Sequence, residues 1–92
     1  MNKISFEIIA ENGIHARPAT KLVNLAMNFK AEIMLESDGN TINLKSIMGL
    51  MSLGIYRGEI IHLTADGEDE EEAVKVLSDF IIEENMGKSI DK

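Results

Sequence analysis

The apolar side chains of this chain change their period again and again over 92 residues, and that alternation limits the folds open to it. Ile4, Phe6 and Ile8 alternate with Ser5 and Glu7, the pattern of a strand with one buried face. From Ala16 the period lengthens. Ala19, Leu22, Val23, Ala26 and Met27 fall at helical spacing, with Lys21, Asn24 and Asn28 on much of the other face, which predicts a helix over 16–28. Pro18, the chain's only proline, fits the first turn, where an amide hydrogen has no intrahelical acceptor. Residues 31–35 and 41–44 read as strands joined by Ser37-Asp38-Gly39-Asn40, with Asp-Gly as the hairpin signal. Ser46 stands as N-cap before a short apolar helix that Gly54 closes; the interior Gly49 weakens it, so packing must hold it. Residues 59–65 alternate again, with Ile61 and Leu63 on one side and Ile60, His62 and Thr64 on the other. Asp69 and Glu72 are spaced as a capping box for a last helix over 70–84. Its apolar face is Ala73, Val74, Leu77, Phe80 and Ile81, and Glu70, Glu71 and Glu72 occupy the first turn, where the helix dipole favours them.

The order strand, helix, strand, strand, short helix, strand, helix predicts one domain over residues 1–92, a sheet with helices on one face. Residues 86–92 read as a frayed tail. With no cysteine, disulfides, thiol nucleophiles and iron–sulfur sites are excluded. No stretch approaches the ~18 apolar residues of a membrane span. The opening Met1-Asn2-Lys3-Ile4-Ser5 lacks the apolar block and cleavage site of a signal peptide, so the expected location is the cytoplasm. A net charge of −7, without a basic run, argues against direct nucleic-acid binding.

His15 is the main candidate for chemistry. It follows Gly13-Ile14 at the N-cap position of a helix that contains Arg17. A helix start presents unpaired amide hydrogens and a positive dipole end, which suit a phosphate. A neutral imidazole nitrogen can attack a phosphoryl group, and the amides of residues 16 and 17 with the Arg17 fork can then hold the new negative charge. The competing readings are a histidine that caps a helix by chance, or a polar surface residue. Ser46 likewise has two readings: an N-cap that needs no further purpose, or a phosphorylation site at a helix start beside Lys45. Ile47, Met48, Leu50, Met51 and Leu53 cannot all point inward from so short a helix, so an exposed pair such as Met48 and Met51 is expected to offer an adaptable partner surface. His62 is expected to be structural or solvent-facing. Neither the two histidines nor the acidic run 66–72 has metal-ligand spacing, and no metal or cofactor is expected.

Two segments carry a resemblance. Gly13-Ile14-His15-Ala16-Arg17-Pro18-Ala19, followed by an amphipathic helix, and Asn43-Leu44-Lys45-Ser46-Ile47-Met48-Gly49-Leu50-Met51-Ser52-Leu53-Gly54 together resemble the HPr family. These are the histidine-containing phosphocarriers of the phosphoenolpyruvate:sugar phosphotransferase system. The similarity covers about residues 2–85, and the second segment is similar to the form found in Gram-positive bacteria. The resemblance implies an α+β open-faced β-sandwich of four antiparallel strands covered by three helices. It implies that the histidine matching His15 is phosphorylated on Nδ1, that Arg17 helps bind the phosphoryl group, and that the chain is a carrier rather than an enzyme. Implied partners are phosphorylated enzyme I as donor and the A domain of a sugar-specific enzyme II as acceptor. Ser46 matches a regulatory serine phosphorylated by an HPr kinase/phosphorylase, and the modified form binds a catabolite-control transcription factor in many organisms. Ala16, Thr20, Lys21, Ile47, Met48 and Met51 match the docking surface. Asn24 and Met27 stand where some relatives carry lysines, which shifts electrostatic help in docking toward Arg17, Lys21 and Lys45. A relative restricted to catabolite regulation lacks the histidine, which this chain has.

Two other classes compete with the carrier. A small interaction module draws on the apolar 47–53 segment. A small hydrolase would need a water-activating base near His15, and the sequence offers no clear one.

Overall fold

The structure of the protein, a computed structural model, describes residues 1–90. In chain order it forms β1 (Asn2–Ile8), α1 (Ala16–Ala26), β2 (Glu32–Ser37), β3 (Asn40–Asn43), α2 (Ile47–Ser52), β4 (Ile60–Asp66), α3 (Glu70–Glu83) and β5 (Gly87–Ser89). The strands make one antiparallel sheet in the order β3-β2-β4-β1-β5. Alternation decides which face is covered. Phe6, Ile8, Ile33, Leu35, Ile61, Leu63 and Ala65 from the strands join Leu22 and Ala26 of α1, Leu50 of α2, and Leu77 and Ile81 of α3 in one core. The result is the expected open-faced α+β sandwich, with its three helices over one face. On the other face Ser5 pairs with His62 across β1 and β4, and Ser5 Oγ lies 2.6 Å from His62 Nδ1. His62 is thus a half-buried residue of the uncovered sheet face, in keeping with its place in the alternation.

The hairpin is the turn its sequence requires. Asp38 and Gly39 have φ of 52° and 81°, both left-handed, as a two-residue turn matched to strand twist demands. β2 therefore runs on to Ser37, which pairs with Asn40.

The chain departs from expectation in three places. α1 ends at Ala26, short of residue 28, because the next amides reach back only three residues, Asn28 to Leu25 (3.1 Å) and Phe29 to Ala26 (3.2 Å). Met27 thereby leaves the apolar face and is 62% exposed.

The capping box at Asp69 does not form. The Asp69 carboxylate instead accepts hydrogen bonds from the backbone N–H groups of Lys30 and Ala31, each at 2.8 Å, and ties the loop after α1 to the start of α3. Gly67 makes this approach possible. Its φ is +156°, and a Cβ there would stand 2.7 Å from Ala31 Cα. A long-range tie thus replaces a local cap.

The third departure is the tail. The described part of the 86–92 stretch does not fray; it adds a fifth strand to the four expected. Asn85 takes φ 55°, and the chain turns back in a Schellman arrangement: Met86 N–H donates to the Ile81 carbonyl and Asn85 N–H to that of Ile82, both at 3.0 Å. Met86 is buried against the core, its carbonyl accepts from Ile9 N–H at 2.9 Å, and Gly87–Ser89 pairs with Phe6–Ile8 of β1. The apolar contact of a Schellman turn is why the reversal holds: Met86 and Ile81 are both buried.

Two outcomes follow from these ties. Met86→Ala should lower the urea-unfolding free energy by about 2–3 kcal/mol, the cost of emptying a buried methionine site; an unchanged midpoint would mean that the tail contributes nothing. The Lys30 amide foremost, with that of Ala31, holds the Asp69 carboxyl below the usual range, so its stabilisation is present above the unfolded carboxylate pKa and lost as pH falls through the folded one. The stability gap between wild type and Asp69→Asn should therefore be constant above about pH 5 and close toward about pH 2. Urea midpoints across that range measure it, and a gap that persists in acid refutes the charged tie.

Candidate functional site

His15 is placed by a loop that only glycine can begin. Gly13 has φ +67°, and a Cβ there would overlap the Ile55 carbonyl oxygen and stand 2.9 Å from Tyr56 Cα. Both the backbone angle and the space exclude a side chain. The same Ile55 carbonyl accepts a hydrogen bond from Ile14 N–H at 3.1 Å, and Ile14 itself is buried. The chain thus leaves the core at a fixed point and delivers His15 as the N-cap of α1, in extended conformation (φ −108°, ψ −177°).

The His15 carbonyl accepts the first helical hydrogen bond, from Ala19 N–H at 3.0 Å, while its side chain makes no capping bond. Capping by the ring, one of the two competing readings of this residue, is not what the structure contains. The ring is exposed, and the amides of Ala16 and Arg17 have no acceptor four residues back. Pro18 contributes no third donor. A nucleophilic nitrogen therefore stands beside two backbone donors at a positive helix end, an arrangement that accommodates an anion.

A shallow cleft of about 210 Å³ opens here, lined by His15, Arg17, Pro18, Lys21, Glu84 and Met86. Arg17 and Lys21, four residues apart, share one helix face. The structure thus brings His15 and Arg17 together as the sequence led one to expect, and adds Lys21, read from the sequence only as a docking residue. Glu84 and Met86 were missed. Glu84 stands at the C-cap of α3 and Met86 arrives by the reversal at Asn85, for which the legible signal was an asparagine just past a helix with an apolar residue directly after it. The described ion pairs join Met1 to Glu70, Lys75 to Asp79 and Lys88 to Glu7. Among the described residues, none involves Arg17, Lys21 or Glu84.

α2 faces two ways. Leu50 is buried, whereas Met48 is 82%, Met51 42% and Ile47 37% exposed. The expected exposed methionine pair is present. Ala16, Thr20 and Lys21 are exposed on α1, which contacts α2, and Thr20 Oγ1 donates to the Ala16 carbonyl at 2.9 Å. Ser46 is the exposed N-cap of α2, and its Oγ accepts a hydrogen bond from Gly49 N–H at 3.0 Å. Lys45, next to Ser46 in sequence, donates from its ammonium to the Phe29 carbonyl at 2.6 Å.

A larger hollow of about 520 Å³ lies by the β2–β3 turn, lined by Glu36, Ser37, Asp38, Gly39, Glu59, Ile60 and His62. Its carboxylates, with no lysine or arginine among them, oppose an anion. Among the described residues no cluster of three or more histidines or carboxylates is placed to hold a metal ion. No helix among them is long and apolar enough to cross a membrane.

The family model for the HPr component phosphorylation site of the phosphotransferase system matches residues 2–83. Among solved structures, the histidine-containing phosphocarrier protein of a Mycoplasma superposes with a TM-score of 0.92 at 33% identity, over 95% of this chain and 99% of that one. An HPr from Thermoanaerobacter tengcongensis gives 0.85 at 46% identity, covering 92% and 94% of the two chains. The phosphocarrier protein HPr of Bacillus anthracis gives 0.80 at 43%, covering 86% and 94%. The chain belongs to the HPr family, phosphocarriers of the sugar phosphotransferase cascade that hold the phosphoryl group as a phosphohistidine and are not themselves enzymes.

Proposed function

We propose that His15 is the residue that carries the phosphoryl group and that Arg17 binds its oxygens. The observation that carries this reading is the His15 ring, engaged in no cap, in one cleft with Arg17 and beside the amides of Ala16 and Arg17. The His15 Nδ1 lone pair attacks phosphorus on the phosphohistidine of enzyme I. A P–N bond to His15 forms as the partner's P–N bond breaks, and the partner's imidazole recovers its electron pair. The same exchange in the other direction passes the group to the A domain of an enzyme II. Bonds made and broken are alike, so the step is reversible, and its rate rests on positioning within the docked pair.

Docking falls to Ala16, Thr20, Lys21, Ile47, Met48 and Met51. Their exposure on two helices in contact supports one continuous surface. Ser46 is the target of an HPr kinase/phosphorylase, and the modified protein is the form offered to a catabolite-control transcription factor. The whole cycle belongs to the cytoplasm, and the chain works as a single carrier domain. A phosphate on Ser46 adds about −1.5 to −2 charge beside exposed methionines. The modification therefore acts on docking rather than on the fold.

Incubation with phosphoenolpyruvate, magnesium and enzyme I should give an acid-labile phosphoryl adduct by intact mass, absent from His15→Ala. Persistence of the adduct in that variant sinks the assignment; its absence from wild type favours the interaction-module reading. For regulation, Ser46→Asp should exchange phosphate with enzyme I at least about threefold more slowly by rapid quench, with an unchanged circular dichroism spectrum. Wild-type exchange rates in that variant would remove the inhibitory role.

A further inference from the structure

We propose that Lys21 is a second phosphoryl-binding cation of this site, sharing the phosphohistidine oxygens with Arg17; this rests on His15 being the carrier residue. Two of the chain's nine lysines and arginines line one cleft of about 210 Å³ in a protein of net charge −7. They sit four residues apart on one helix face, where like charges repel. Among the described residues neither forms an ion pair, although Glu84 lines the same cleft. An anion bound between them relieves the repulsion. The two cations complement each other: the Arg17 guanidinium is a planar fork, and the Lys21 ammonium is a mobile point charge on a flexible stem. Pro18, between them in sequence and also lining the cleft, fixes the first turn of the helix, from which Arg17 projects one turn before Lys21.

A docking residue and a phosphate-binding residue differ in thermodynamics. Contacts made only in the docked complex alter the rate of exchange with enzyme I. They cannot alter the equilibrium constant between the separated proteins, because both directions pass through the same complex. A cation that binds the phosphoryl group of the isolated carrier does alter it.

The test equilibrates phosphorylated enzyme I with wild type, Lys21→Gln, Lys21→Arg and Lys3→Gln at low ionic strength, and measures the phosphorylated fraction of both proteins by intact mass. Lys3 lies on β1 of the sheet, does not line the cleft, and controls for a change in net charge. Lys21→Gln should shift the equilibrium against the phosphorylated carrier by about two- to fivefold. Lys21→Arg should restore it, Lys3→Gln should leave it in place, and the Lys21→Gln shift should shrink at about 1 M salt. An unchanged equilibrium constant with a slower approach makes Lys21 a docking residue and overturns the proposal, as does an equal shift in Lys3→Gln. If the adduct is still formed in His15→Ala, the carrier assignment itself has failed, an outcome distinct from either.

Discussion

The approach of Gly13 to the Ile55–Tyr56 backbone governs the placement of the site. Two loops at the same end of the sheet, one leaving β1 and one entering β4, touch there, and the Ile55 carbonyl receives the Ile14 amide at 3.1 Å. A side chain at position 13 would separate them. With the contact made, Ile14 enters the core and the next residue must leave it, so His15 stands at the surface by geometry rather than by polarity. A reactive imidazole on a carrier has to be both exposed and fixed. The loop meets the first demand, and the buried residue on one side with the helix on the other meets the second.

The fold around this point was readable wherever apolar periodicity was strong. The alternation in β1 and β4, the Asp-Gly turn and the spacing of Leu22, Val23 and Ala26 each specify an element locally, and each element forms. What escaped was decided by contacts distant in sequence. Asp69 has the spacing of a local cap, yet two amides some forty residues earlier take its carboxylate at 2.8 Å each. Local propensity cannot rank a cap against a tertiary acceptor. The tail was misread because 86–92 lacks any period, and a three-residue strand has none to show. Its evidence lay in single residues: Asn85, able to take a left-handed turn, and Met86, apolar in a polar stretch.

The candidate site divides along the same line. His15, Arg17 and Pro18 lie within one helical turn, so the sequence alone brings them together. Ser46 and the exposed methionines follow from a helix too short to bury all its apolar residues. Glu84 reaches the cleft from the C-cap of α3, and Met86 because the chain then reverses and β5 pairs with β1, which no spacing around His15 announces. The tail that closes the sheet edge is thus also one wall of the cleft, and fold stability and site shape are coupled through Met86.

Charge shows why the whole-chain balance is a poor guide to this site. Glu70, Glu71 and Glu72 open α3, and Asp79, Glu83 and Glu84 follow, so much of the −7 lies on one helix. Exposed charges farther apart than the ~8–10 Å screening length interact weakly at physiological salt. The acidic start of α3 is further committed to structure: Glu70 takes the Gly67 amide and pairs with the N-terminus, and Asp69 holds the 30–31 loop. In the proposed role, an arriving phosphoryl group meets the cleft itself at the start of α1, with Arg17 and Lys21 against Glu84. The local balance is positive, and the exposed carboxylate of Glu84, the C-cap of α3, tempers it. A carrier must release its cargo as readily as it accepts it, and a cleft of modest positive charge suits the proposed role because it would hold a phosphoryl group without trapping it.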